Sequence, residues 1–339
     1  MKNLLYIGNK LSQHGISVTS IETLGPLLEG EGYKLYYTSS KKNVIFRMLD
    51  MLWSVVKLRN KVDVILIDTY STFNFWYAFL VGCLSKMIGK RYITMLRGGD
   101  LPNRFEKSPR LCSMLFGNAY KNVAPSRYLL HHFELKGFTN TVYIPNTLEI
   151  DNYTYKERKV VSPNLLWVRS FARIYNPNMA VEVFKVLKSK YPEATLCMVG
   201  PDKDGSLEEA RLLAATYELD VTFTGKLSKK EWIALSEDYN LFINTTHFDN
   251  TPVSVMEAMA LGLPVITTNV GGIPYLLDTT IDALLVEDNS VAQMVEAVNT
   301  LCQDENLVQT LSRNARAKAE GFDWKIVREA WKGILDFRM

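Results

Sequence analysis

Cysteine is scarce and scattered. The four residues Cys83, Cys112, Cys197 and Cys302 form no Cys-x-x-Cys pair and no Cys/His ligand spacing, which argues against a zinc site or a disulfide framework. Charge of one sign is lacking too. The 39 Lys and Arg stand against 36 Asp and Glu, a formal net charge of +3; a nucleic-acid footprint needs a larger or more clustered excess. Long hydrophobic runs are missing. The longest, Phe73 to Leu84, is interrupted by Asn74 and Gly82 and fits a buried helix better than a membrane span. After Lys2 the run Leu4-Leu5-Tyr6-Ile7 is too short for a signal segment. A cytoplasmic location is expected, and the sequons at Asn152 and Asn244 then read as chance matches. The usual nucleotide motifs are absent: there is no Gly-x-x-x-x-Gly-Lys-Ser/Thr loop, and Gly30-Glu31-Gly32 continues as Tyr-Lys-Leu without a third glycine. A P-loop NTPase is disfavoured and a dehydrogenase has no positive support.

What is present is an ordinary globular composition, 47% apolar and 22% charged, which argues against long disorder and low complexity. The 339 residues suggest roughly two domains. Short apolar runs alternate with longer helical patterns. Strands are expected at Asn3–Gly8, Tyr33–Thr38, Val62–Asp68, Tyr92–Leu96 and Asn122–Ala124, with helices at 16–30, 42–60, 72–89, 108–120 and 126–136. That is the rhythm of a parallel α/β sheet covered on both faces. The polar stretch Asp151-Asn-Tyr-Thr-Tyr-Lys-Glu-Arg-Lys breaks it and reads as a linker. The rhythm then restarts, with strands near Leu165–Val168, Ala194–Gly200, Val221–Thr224, Leu241–Asn244, Pro264–Thr267 and Ala283–Val286. The fold class is therefore α/β, two Rossmann-like domains: 1–150, and 151–322. In such sheets ligands sit beyond the carboxyl ends of the strands.

The most informative segment runs from His247 through Phe-Asp-Asn-Thr-Pro-Val-Ser-Val-Met-Glu to Gly262. Thr251 reads as an N-cap, Pro252 as the first helical residue and Gly262 as the stop. A helix start at a strand tip is a ready anion site, although Thr-Pro could simply cap a buried helix. Glu257 tips the balance. A carboxylate among Val253, Val255, Met256, Ala258, Met259 and Leu261 is costly unless it has partners or faces a cleft. Once ionised it accepts well from paired hydroxyls such as a ribose diol. Asp249 alone would read as a turn residue.

Asp249 to Glu257 resembles the Glu-x7-Glu motif of the retaining glycosyltransferases of family 4, with Asp in the first place. Glu257-Ala-Met-Ala-Leu-Gly-Leu-Pro-Val-Ile, Val270-Gly-Gly-Ile-Pro, Val142-Tyr-Ile-Pro-Asn, Ala124-Pro-Ser126 and Phe322-Asp-Trp-Lys-Ile-Val are similar to the same family. The resemblance is strong over 120–339 and weaker over 1–119. It implies a GT-B fold, two facing Rossmann-like domains with the donor in the cleft. The first would bind acceptor, the second donor, and a C-terminal helix at 323–339 would pack back onto the first. It implies a nucleotide-sugar donor, a saccharide or lipid-linked acceptor, retention, and no metal or other cofactor. By the same resemblance Glu257 would hold the ribose hydroxyls, and Asp249 would contact the transferred sugar. The stretch Asn250, Thr251, Pro252, Val253 and Ser254 would face sugar and diphosphate. Gly225 would approach the base and Gly15 the diphosphate, with an ordinary turn as the bland alternative for Gly15. Arg169 matches the first of two family cations that neutralise the leaving diphosphate. No Lys follows it, and Arg173 is the substitute, with a solvated loop residue the competing reading.

One departure stands out. Where many members carry a His, this chain has Arg97-Gly98-Gly99-Asp100. Arg97 cannot be a general base; it is expected to act on the donor phosphate, to bind acceptor with Gly98, Gly99 and Asp100, or to bridge to Asp100 or another carboxylate and shape the loop. Residues 41–61 combine Lys41, Lys42, Arg47, Lys57, Arg59 and Lys61 with Phe46, Leu49, Trp53 and other apolar residues. Such a helix could lie on an anionic membrane, at the inner face of the plasma membrane, or equally pack on the first sheet. The reading that follows is a retaining hexosyltransferase in polysaccharide or cell-surface glycan assembly. A GT-B sugar-nucleotide epimerase and a degenerate nucleotide-sugar-binding protein are the alternatives.

Overall fold

A computed structural model describes residues 2–14, 18–160 and 162–336. The first sheet is built from β1 (Asn3–Ile7), β2 (Lys34–Thr38), β3 (Val64–Thr69), β4 (Arg91–Leu96), β5 (Lys121–Ala124) and β6 (Thr141–Tyr143), all parallel in the order β2-β1-β3-β4-β5-β6. The second contains β7 (Asn164–Val168), β8 (Thr195–Val199), β9 (Val221–Gly225), β10 (Leu241–Asn244), β11 (Val265–Thr268) and β12 (Leu284–Val286), again parallel, in the order β12-β11-β10-β7-β8-β9. These are two doubly wound α/β units, the architecture of the GT-B fold. The central strands are continuous apolar runs because helices cover both faces; every residue of β3 is buried.

The division falls after Asn146. One unit holds Met1–Asn146 and the C-terminal segment that begins at Trp324; the other is Thr147–Asp323. Period-two alternation supplies the first unit's two cores. Leu5 and Ile7 face Met51, Val55 and Phe75, while Leu4 and Tyr6 face Ile21, Leu24 and the C-terminal helix.

That helix runs Trp324–Leu335 and buries Val327, Trp331, Ile334 and Leu335 on one stripe. Its polar edge is tied down as well. Glu31 pairs with Lys332 at 2.8 Å and Arg328 at 3.2 Å, and the hydrogen bond from Lys332 is the main cause that holds the Glu31 carboxyl below its usual range. Of the expected helix at 323–339, the last three positions lie outside the described residues, as does Gly15.

The structure departs from expectation in three places. β6 is a sixth strand of the first sheet, only three residues long and half-buried at Val142 and Tyr143, so it carries no apolar run to announce it. A helix at Leu101–Lys107 precedes that at Pro109–Gly117. The supposed linker is packed: Tyr153 and Arg158 are buried, and Lys156 N donates to Leu261 O at 3.3 Å. Its polar composition reflects hydrogen bonding to the second unit.

Trp331 is 3% exposed and fills the first unit's core from a helix that is last in sequence. Trp331→Ala should cost about 3–5 kcal/mol, as for other large aromatic truncations. Urea unfolding followed by near-UV circular dichroism would register the loss. A change below about 1 kcal/mol would mean the helix is dispensable to that unit.

Candidate active site

In the second sheet the strand order reverses between β7 and β10: β8 and β9 extend from one, β11 and β12 from the other. Ligands of open α/β sheets bind beyond the carboxyl ends at such a reversal. Here those ends are followed by Arg169 and by the 245–252 loop.

Arg169 forms an ion pair with Asp249, and its guanidinium carbon lies 3.9 Å from the Tyr175 ring centroid. Its Nε is buried without a partner. The loop carrying Asp249 is fixed from both sides. Trp167 Nε1 donates to Thr245 Oγ1 at 3.0 Å, and His247 N donates to Ile174 O at 2.8 Å. From the other side Gly272 N donates to Asp249 O at 2.7 Å. A Cβ on Gly272 would stand 1.8 Å from Asn250 O, and one on Gly271, whose φ is +55°, 2.3 Å from Asp249 O. Only glycines let these backbones meet, which gives the Val270-Gly-Gly segment its physical reason.

The helix that follows is Val253–Ala260, with Pro252 at the N-cap. This corrects the expected cap by one position: Pro252 φ −69° and ψ 112° is extended backbone, and the Thr251 hydroxyl caps nothing. Instead Thr251 Oγ1 and Ser254 Oγ are both buried without a partner. Val255 N makes the first bond back, to Pro252 O at 3.1 Å, so the Val253 and Ser254 amides precede the helical ladder. Unspent hydroxyls, amides and the positive dipole end thus all belong to one helix start, the makings of an anion site.

Glu257 is 5% exposed, which rules out the surface-edge alternative. Tyr153 Oη donates to its Oε1 at 2.8 Å, and Lys229 Nζ stands 2.8 Å from the same oxygen. Both donors were illegible in the sequence, one inside an apparent linker, the other in a lysine pair at a helix start. Gly225 ends β9, and its carbonyl accepts from Gly200 N at 2.9 Å; Lys229 follows in the same segment.

Arg173 is not brought to the Arg169–Asp249 pair by any contact described. Its side chain is mostly exposed and pairs with Glu209 at 2.6 Å, the geometry of the solvated-loop reading. The sequence also holds Asp202-Lys203-Asp204, a spacing that can present two carboxylates to a cation. Here both serve the loop: Asp202 accepts from Gly205 N at 3.0 Å, and Asp204 from Arg173 N at 2.9 Å and Ser206 N at 3.2 Å.

In the first unit Arg97 follows β4. Its carboxylate partner is Asp68, at the end of β3, not Asp100. Arg97 Nε donates to Asp68 Oδ1 at 3.2 Å and Nη1 to Asn146 Oδ1 at 3.1 Å. Burial pushes the Asp68 carboxyl above its usual range, and Arg97 offsets only part of that rise. Asp68 was the missed residue; a lone carboxylate closing the apolar run Val64-Ile-Leu-Ile is its signal. Asp100 accepts from Asn103 Nδ2. Gly98 is needed for a reason other than ligand approach, because a Cβ there would stand 2.6 Å from Ser71 N. Gly99 is half-buried and Asp100 exposed.

Residues 155–318 match the family model of glycosyl transferases group 1. Over this segment the chain is similar to that family. Among its relatives are an uncharacterized glycosyltransferase of Haemophilus influenzae, 27% identical over 192 residues, covering 56% of this chain and 53% of the relative, and the capsular polysaccharide biosynthesis glycosyltransferase CapM of Staphylococcus aureus, 27% identical, covering 53% and 49%. The chain thus spans about half the length of these relatives. The crystal structure of Anabaena Alr3699/HepE in complex with UDP shares the fold, with a TM-score of 0.79 at 17% identity over 99% of this chain and 100% of that one.

Asp68 is fully buried and the Arg97 side chain only 13% exposed. Removing one partner of a buried pair leaves the other charge uncompensated. Arg97→Ala should therefore cost about 3–5 kcal/mol, and the double change Arg97→Leu with Asp68→Leu should recover most of it. Urea unfolding of the two variants is the check; equal losses in both would show that the pair holds nothing beyond its packing.

Proposed function

We propose that this protein is a retaining, metal-independent hexosyltransferase. It moves a sugar from a nucleotide-sugar donor to a saccharide or lipid-linked acceptor in polysaccharide or cell-surface glycan assembly. The observation that carries this is the second sheet's reversal point. There Arg169, the unpartnered Thr251 and Ser254 hydroxyls and a free helix start lie in one place, with buried Glu257 on the same helix. Relatives point the same way: CapM by its role in capsular polysaccharide biosynthesis, and the Anabaena protein by its complexes with UDP and UDP-glucose.

In this reading Glu257 holds the ribose diol. The 251–254 backbone and hydroxyls take the diphosphate, Asp249 meets the sugar, and Gly225 borders the base. Arg169 and the helix start neutralise the charge that grows on the diphosphate. Arg173, held by Glu209, is the weaker second cation. Reaction breaks the bond between the sugar C1 and the phosphate oxygen and forms one from C1 to the acceptor oxygen on the same face. The acceptor's proton passes to the departing phosphate oxygen, so no side-chain base is needed. Arg97 acts as a positioning residue for Gly98–Asp100, which would border the acceptor.

A thermal-shift panel of UDP-, GDP-, ADP- and dTDP-sugars tests donor binding, because a ligand stabilises the fold by an amount that grows with its affinity. Glu257→Ala should weaken the bound donor roughly ten- to hundredfold. Transfer or donor hydrolysis should persist in excess EDTA. Unchanged donor affinity in a folded variant would remove Glu257 from the site. Binding without any turnover would leave a nucleotide-sugar-binding protein.

The acceptor side is read from the helix Val44–Leu58. Arg47, Met51 and Val55 are its buried stripe, and Arg47 donates to Lys41 O at 3.0 Å and Lys42 O at 3.1 Å, so it does not belong to the basic face. About 200° around the helix from that stripe, Ile45, Leu49 and Trp53 are 64%, 53% and 62% exposed, beside Phe46. Exposed Lys41, Lys42, Lys57, Arg59 and Lys61 flank them. An apolar stripe with basic ends suits an anionic membrane carrying a lipid-linked acceptor; among the described residues no helix is long and apolar enough to cross one. The protein should co-sediment with anionic vesicles at low salt, and Trp53→Asp should abolish this while leaving donor binding intact. Sedimentation unaffected by Trp53→Asp would refute this face as the contact.

A further inference from the structure

Glu257 presents an arrangement that the nucleotide reading leaves unused. Its carboxylate is buried in the apolar helix Val253–Ala260, yet it meets two donors, and both fall on the same oxygen. Tyr153 Oη and Lys229 Nζ each stand 2.8 Å from Oε1. The donors come from opposite directions in the chain, Tyr153 from the segment that opens the second unit and Lys229 from the first residue of the helix Lys229–Leu235. That helix start is itself fixed by a capping box between Ser228 and Glu231. Lys229 Nζ also lies 5.9 Å from the Tyr153 ring centroid.

We propose that Tyr153 and Lys229 are positioning residues that clamp Oε1 of Glu257, so that Oε2 is held out to the ribose hydroxyls and the site discriminates ribonucleotides from 2′-deoxyribonucleotides. The proposal rests on the reading of Glu257 as the ribose ligand. Its physical basis is the cost of a loose carboxylate. A glutamate has several rotatable bonds, and fixing them on binding costs rotamer entropy. A clamp formed in the free protein meets that cost before the ligand arrives. The two donors also offset the desolvation of a buried charge. Tyr153 is 2% exposed. Burial, followed by the charge of Glu257, pushes its phenol above the ordinary range, so it remains an O–H donor across the working pH range. A ribose lacking its 2′-hydroxyl gives Oε2 one group fewer to hold, and the benefit of the clamp shrinks accordingly.

The test measures dissociation constants by calorimetry for UDP, GDP and ADP and for their 2′-deoxy counterparts, on the wild type and on Tyr153→Phe, Lys229→Met and Glu257→Gln. For the best-bound base the wild type should prefer the ribonucleotide. Tyr153→Phe should weaken the ribonucleotide about tenfold, as for loss of one charge-assisted hydrogen bond, and should leave the deoxynucleotide nearly unchanged. Lys229→Met should act in the same direction, and because Lys229 is 58% exposed that variant keeps the question open to experiment even if Tyr153→Phe misfolds. A purely structural role would weaken both nucleotides alike and leave their ratio at the wild-type value. If Glu257→Gln loses the preference while Tyr153→Phe and Lys229→Met keep it, the clamp is refuted and the ribose reading stands. If the wild type has no preference, or Glu257→Gln retains it, the ribose reading fails and the clamp fails with it.

Discussion

A carboxylate enclosed by an apolar helix has to be compensated, and much of the second unit's candidate site is arranged around that requirement. Val255, Met256, Ala258, Met259 and Ala260 pack the helix into the core, so Glu257 cannot retreat to solvent without the helix leaving with it. Compensation comes from a phenol and an ammonium that reach it from the 147–160 segment and from the segment after β9. The three elements are thereby drawn together at one end of the sheet. The same helix begins with hydroxyls and amides that have no protein partner. One short helix therefore offers unspent donors at its start and a hydrogen-bond acceptor one turn further on, two features that would suit a nucleoside diphosphate.

Both sheets set an Asp–Arg pair across strand ends, and the contrast between the pairs separates structure from chemistry. In the first unit Asp68 is wholly buried and Arg97 spends donors on Asp68 and Asn146. Opening that pair would strand a charge in the interior, so it suits a fixed loop. In the second unit Arg169 and Asp249 are 12% and 15% exposed, and Arg169 keeps an unpartnered Nε while its face rests on Tyr175. Such a guanidinium can turn from a carboxylate to a phosphate without leaving its stacking partner, because a planar fork serves either anion.

The fold was largely legible because parallel strands covered on both faces are written as mostly apolar runs, as in Leu165–Val168 and Leu196–Val199 of the second sheet. β6 was not, since a three-residue strand has no room for a pattern and rests on its neighbour β5. Within the site, Glu257 was readable from its incongruity, a charge among methionines and alanines. Asp68 carries the same signal and was obscured only because Arg97 sits 29 residues away, where no local spacing links them. Tyr153 and Lys229 lie 104 and 28 residues from Glu257 in sequence. Their polar surroundings look like solvent-facing chain. Long-range pairing of this kind is a property of the folded backbone and leaves no periodicity behind.

The segment that opens the second unit shows how one stretch of chain can serve two purposes. Leu148 N donates to Phe322 O at 2.9 Å, and Thr147 Oγ1 reaches the same carbonyl at 3.0 Å. Leu148 and Asp323 form a parallel bridge. The chain entering this unit is therefore stitched to the chain leaving it. Five residues beyond Leu148 the same segment buries Tyr153 against Glu257, and Arg316 Nη1 donates to Tyr153 O at 2.7 Å. The position of the Tyr153 phenol is thus set by backbone bonds on both sides of it and by a cation from the helix Glu305–Glu320. A hydroxyl anchored in this way cannot follow a wandering carboxylate; the carboxylate has to come to it. That asymmetry makes the phenol the firmer half of the clamp, with the more exposed Lys229 ammonium closing on the same oxygen.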